Sequence, residues 1–94
     1  MIVSYRDKQT EQFSSGGRVR AYENIERSGR LKLNKLKAAN TLADIAMLPG
    51  NRFESLKGDR QGLFSIRIND QWRICFSWDD DAQGFTNVEI VDYH

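Results

Sequence analysis

The sequence predicts an α+β domain: an antiparallel sheet of four to five strands with two or three helices on one face. Three observations carry this. An apolar stripe at helical spacing runs through residues 18–39, apolar and polar residues alternate through 63–78, and helices precede a run of consecutive strands instead of alternating with them. With 94 residues, 39% of them hydrophobic, seven glycines and one proline, the chain is sized for a single domain, 1–94, around one core.

The elements follow in order. Met1 to Tyr5 (MIVSY) reads as a short opening strand, and Lys8 to Phe13 (KQTEQF) as a brief helix that stops before Ser14-Ser15-Gly16-Gly17. Tyr22, Ile25, Gly29, Leu33 and Leu36 then fall on one narrow helical face, which defines the main helix over 18–39. Gly29 costs about 1 kcal/mol of helix propensity, so its place on the buried stripe points to close approach by another element. Thr41 to Asp44 (TLAD) forms a capping-box variant opening a second short helix, with Leu42, Ile45 and Leu48 inward and Pro49-Gly50 as its stop.

The remainder is strand-like. Leu63 to Ile68 puts Phe64, Ile66 and Ile68 on one face, Asn69-Asp70 turns the chain, and Trp72 to Trp78 puts Trp72, Ile74, Phe76 and Trp78 on one face. Asp79 to Gly84 supplies a second turn, and Phe85 to Tyr93 is the closing strand. Arg52 to Leu56 is the strand expected to precede this meander.

Composition excludes several chemistries. One cysteine, Cys75, and one histidine, His94, cannot build an intrachain disulfide, a zinc finger or a histidine-based metal site, so any chemistry is expected to be metal-free or to use carboxylates for a hard cation, and no cofactor is expected. Cys75 falls on the non-core face by alternation and reads as a semi-buried filler, not a nucleophile. No apolar run has the length of a membrane span or the form of a secretion signal, which predicts a cytoplasmic protein without membrane contact.

The net charge of +1 averages two unlike regions. Residues 18–37 hold seven Lys/Arg against two acids, whereas 77–94 hold five acids and no Lys or Arg. The first region permits a basic surface for a polyanion.

With the aromatic face packed on the helices, Arg67 and Arg73 project from the opposite face near the Asn69-Asp70 turn. Two neighbouring guanidiniums suit an ordinary solvated face. Joined by Lys57 and Arg60 from the preceding loop, they also make a cluster suited to holding a phosphodiester and stabilising charge that builds on it. His94 ends the sequence, with Asp92 two positions earlier able to orient an imidazole. Val88 and Ile90 face the core, so strict alternation turns Asp92 inward unless the strand outruns the core edge or bulges.

The stretch Asn51 to Trp78 (NRFESLKGDRQGLFSIRINDQWRICFSW) and the ending Val88 to His94 (VEIVDYH) resemble the HigB-type toxins, the "killer protein" group of the RelE/ParE toxin-antitoxin superfamily. The opening MIVSYRDKQTEQF is similar more weakly. The resemblance implies a microbial-ribonuclease-like α+β sheet. It also implies ribosome-dependent, metal-independent cleavage of translated messenger RNA in the ribosomal A site, which inhibits translation.

Carried onto this chain, the family's phosphate contacts fall on Lys57 and Arg73, with Asn69 near the same turn and Arg60 and Arg67 alongside; its acid/base end falls on Asp92, Tyr93 and His94. Where some members have a histidine three residues before the lysine, this chain has Glu54, a carboxylate able to accept a proton from a ribose 2′-OH. Glu54, or Asp92 alone or through His94, then serves as base; His94 or Tyr93 supplies the leaving oxygen's proton. Tyr93 or Phe53 is available to stack on a base. The implied partners are a helix-turn-helix HigA-type antitoxin, the ribosome and messenger RNA, with operator DNA bound only through the antitoxin. A ParE-like gyrase poison and a non-catalytic RNA-binding module are the other functions compatible with these residues.

Overall fold

The computed structural model describes residues 1–56 and 62–92. Helix α1 (Lys8–Ser14) begins at Asp7, whose carboxylate accepts from the Thr10 amide at 2.7 Å. A 3₁₀ helix (Arg20–Ile25) leads into α2 (Glu26–Ala38), and α3 (Leu42–Ala46) completes the helical layer. Four strands follow: β1 (Glu54–Ser55), β2 (Phe64–Arg67), β3 (Trp72–Asp79) and β4 (Gly84–Asp92). They form an antiparallel sheet in the order β1-β2-β3-β4. Among the described residues no helix is long and apolar enough to cross a membrane.

The sequence expects one helix over 18–39; the structure divides it at Ile25, where φ is −125°. Val19, Tyr22, Asn24 and Ile25 are poorer helix formers than the Lys- and Leu-rich stretch that follows, and a tightened first turn is a common outcome at a helix entrance. The buried stripe survives the change of pitch: Tyr22, Ile25, Leu33 and Leu36 all lie in the core, joined by Phe13 from α1 and Ile66, Ile74, Phe76, Phe85, Val88 and Ile90 from the sheet. Gly29 plays the expected part. A Cβ there would stand 3.1 Å from the Phe13 ring, over which the Arg30 guanidinium lies at 4.3 Å from the ring centroid.

Thr41 and Asp44 make a full capping box, the Asp44 carboxylate taking the amides of Asn40 and Thr41 while Thr41 Oγ1 takes that of Asp44. Leu48 departs from expectation. Because α3 ends at Ala46, Leu48 is 36% exposed instead of turned inward.

Met1 to Tyr5 does not form the continuous strand its sequence suggests. Ile2 and Tyr5 make isolated parallel bridges to Phe85 and Val88 of β4. The interruption has a cause: β4 carries an extra residue opposite β3, and Asn87 adopts a left-handed φ of 52° there, its amide satisfied by Ser4 Oγ at 3.0 Å. Gly84 admits the incoming segment, since a Cβ would lie 2.4 Å from Val3 Cγ2. Beyond the bridges, Thr10 Oγ1 accepts from the Ile90 amide at 3.1 Å, so α1 covers a further stretch of the β4 edge.

Candidate active site

The register of the sheet assembles the face opposite the helices. One cross-strand row reads Glu54, Ser65, Cys75, Glu89, and the next pairs Arg67 with Arg73 and Arg73 with Val91. Phe64–Phe76 and Ile66–Ile74 are the corresponding pairs on the core side. The expected division of faces therefore holds, and Glu54 joins the arginine face.

Arg73 is not the exposed cation the sequence suggests; only 8% of its surface is accessible. Its Nε donates to Ser65 Oγ at 2.9 Å, and its Nη2 donates to the Arg52 carbonyl at 2.6 Å and the Ser65 carbonyl at 3.4 Å. The Glu54 carboxylate, on a side chain 57% exposed, lies 3.9 Å from Nη2. A guanidinium buried among acceptors keeps its charge and loses its conformational freedom. Arg67, directly across the strand pair, donates instead to Asp70 and remains half-buried, so the two like charges are held on separate acceptors.

Arg52 explains why β1 is shorter than the expected 52–56 strand. Its φ of +45° turns its carbonyl to Arg73. The preceding residue, Asn51, is fully buried and fixes this corner. Its Nδ2 donates to the Ile45 carbonyl at 3.0 Å, its Oδ1 accepts from Lys32 Nζ at 2.6 Å, and its own carbonyl accepts from the Arg67 amide at 2.6 Å. Burial, then the charges of Lys35 and Arg67, hold the Lys32 ammonium below its ordinary pKa.

Asp92 stands apart from this group. It opposes Trp72, whose ring packs edge-on against Tyr22 in the helical layer, so by alternation Asp92 belongs to the helix-facing side. It is nevertheless exposed, because β4 runs past the edge of the core; the bulge at Asn87 precedes Val88 and leaves the alternation of 88–92 unchanged. Gln71 Nε2 donates to its carboxylate at 3.1 Å. Asn69 Oδ1 accepts the amides of Gln71 and Trp72, which gives that side chain a turn-forming task. Lys57, Arg60, Tyr93 and His94 lie outside the described residues.

Four participants on this face were not anticipated. Ser65 and Glu89 could have been found, since both alternate with core residues. The Arg52 carbonyl and Arg6 could not: one depends on a left-handed backbone at an arginine, the other on the parallel docking that brings Arg6 Nε within 3.5 Å of Glu89. Cys75, expected as a semi-buried filler, is fully buried between Ser65 and Glu89. Three of the seven basic residues of 18–37 have structural bonds. Arg30 donates to the Phe13 and Gly17 carbonyls and Lys37 to that of Ser14, so both neutralise the C-terminal end of α1, while Lys32 holds Asn51.

An antiparallel meander with its helices on one face and arginines on the other is the architecture of the RelE-like toxins. Over its full length the chain superposes on the YoeB–YefM complex from Staphylococcus aureus with a TM-score of 0.64 at 19% identity, covering 98% of that chain. It likewise superposes on a YoeB/ParE toxin from Agrobacterium tumefaciens over 99% of this chain and 98% of that one, with a TM-score of 0.62 at 17% identity. These likenesses establish the fold. Residues 3–94 match the family model described as the RelE-like toxin of the type II toxin-antitoxin system HigB. Toxin HigB-1 of Vibrio cholerae serotype O1 (strain ATCC 39315 / El Tor Inaba N16961) is 39% identical over 95 residues, 99% of this chain and all of that one. The chain belongs to the HigB-like toxin family.

Proposed function

We propose that this toxin is a metal-independent endoribonuclease that cuts messenger RNA in the A site of the translating ribosome. The observation that carries the reading is the Glu54–Arg73 pair at 3.9 Å, a proton acceptor beside an oriented guanidinium on the face away from the helices. In the reaction, Glu54 takes the proton of a ribose 2′-OH, the oxygen attacks the adjacent phosphorus, and the 5′-oxygen leaves with a proton from His94 or Tyr93. Arg73 and Lys57 balance the charge on the phosphorane oxygens. Asp92, at the end of β4, is the second candidate for the base, acting alone or through His94. The partners in this reading are the ribosome and its bound messenger, and a helix-turn-helix antitoxin that neutralises the toxin and carries it to operator DNA.

Primer extension on messenger RNA bound to purified ribosomes tests the proposal. The protein should produce cuts in register with the codon in the A site and none on naked RNA. Glu54→Gln should lower the rate steeply, and the folded state of each variant is checked by circular dichroism. Relaxed or broken plasmid without RNA cuts would identify a gyrase poison instead.

A further inference from the structure

We infer that Ser65 is a positioning residue for Arg73: its hydroxyl fixes the plane of the guanidinium that meets the scissile phosphate. The inference rests on the ribonuclease reading above. Ser65 is fully buried, yet it lies on the face where the arginines and Glu54 stand, directly across from Cys75 and Glu54. An unpartnered hydroxyl in such a place is costly. Here the hydroxyl accepts from Arg73 Nε at 2.9 Å.

The geometry of an arginine gives that bond its leverage. The guanidinium is planar, so anchoring Nε together with Nη2 fixes two of its corners and therefore the direction of its remaining edge. Arg52 supplies the second anchor through its carbonyl at 2.6 Å, and it does so from a left-handed backbone, an arrangement that costs energy and persists where surrounding contacts impose it. Those contacts are visible. Asn51, one residue earlier, is clamped by Lys32 and Ile45, so the helical layer holds the corner that holds Arg73. Loss of Ser65 Oγ removes the anchor on Nε and loosens the plane of the guanidinium, and a misdirected charge stabilises a transition state far less than a preorganised one.

The experiment compares the parent with Ser65→Ala and Ser65→Thr on ribosomes carrying a defined messenger, measuring the single-turnover cleavage rate as ribosome concentration is raised. In parallel, hydrogen exchange of the Arg73 Nε–H is followed by NMR without ribosomes. Ser65→Ala should slow the saturated rate roughly 10- to 100-fold, the worth of one hydrogen bond to a charged group, with little change in the concentration giving half-saturation. Its Arg73 Nε–H should lose protection. Ser65→Thr, which keeps the hydroxyl, should recover both. A parental rate in Ser65→Ala despite lost protection overturns the positioning role, as does a loss that appears wholly in half-saturation or that Ser65→Thr fails to recover in a folded protein. If the parent itself cuts nothing, the ribonuclease reading fails and takes the inference with it, while the exchange data show separately whether the hydroxyl holds the guanidinium.

Discussion

Arg73 is charged, and it is also among the buried polar residues of the sheet, which changes what its removal should do. From the alternation alone, Arg73→Ala is a surface change with an effect on stability below about 0.5 kcal/mol. The structure predicts otherwise. Truncation strands the Ser65 hydroxyl and the Arg52 carbonyl as acceptors, a cost of about 1–3 kcal/mol, so urea denaturation should show a clear loss of stability along with the loss of RNA cleavage. Arg67→Ala, at a half-buried position held by the exposed Asp70, should stay near parental stability. A common midpoint for both variants and the parent would contradict this account. Glu54→His should retain much of the cleavage that Glu54→Gln loses, because imidazole restores a proton acceptor; equal rates for Glu54→Gln and the parent would move the base elsewhere. What the sequence conveyed here was the face each side chain takes, because strand alternation is local. It did not convey depth, because the burial of Arg73 depends on a left-handed turn at Arg52, for which no residue type is a marker.

At the scale of elements, glycine and the caps decide the helical layer. The stripe through α2 was legible because its period is a property of the segment itself, and Gly29 on that stripe announced a close contact whose partner, Phe13, emerges only from packing. Gly29→Ala should lower the thermal midpoint despite the better helix propensity of alanine. The Phe13 ring, 3.1 Å from the added carbon, is already in contact with the Arg30 guanidinium and the Tyr22 ring, which leaves it little room to give. A raised midpoint would mean that the ring yields. Arg30→Ala should also lower the midpoint, by about 4–8 °C for each kcal/mol lost, since it removes two bonds to the end of α1 and a cation over Phe13. The capping box adds a pH dependence. Backbone amides of Asn40 and Thr41 hold the Asp44 carboxyl below its ordinary pKa of 3.8, so its contribution is complete above that value and disappears as pH falls through the lower, folded-state value. The stability difference between Asp44→Ala and the parent should therefore be constant near neutrality and shrink in strong acid.

For the molecule as a whole, the charge map changes meaning once folded. The seven basic residues of 18–37 read as a surface for a polyanion, but Arg30 and Lys32 are half-buried against backbone carbonyls and Asn51, and Lys37, though exposed, donates to the Ser14 carbonyl. Charge counting could not detect this, since the acceptors come from α1 and from the loop after α3. The N-terminal segment shows the same limit at longer range. Its sequence reads as a strand, but it makes only two isolated bridges, whose partner and direction are fixed at a bulge more than eighty residues away. That pairing orders events in time. The backbone bridges of Ile2 and Tyr5 to Phe85 and Val88, and the Thr10 Oγ1 bond to the Ile90 amide, form only once the last strand has been made. Such distant closures slow folding toward the millisecond-to-second range. Chains truncated after residue 80 should remain open to protease, because β3, which bears Arg73, then lacks its partner β4.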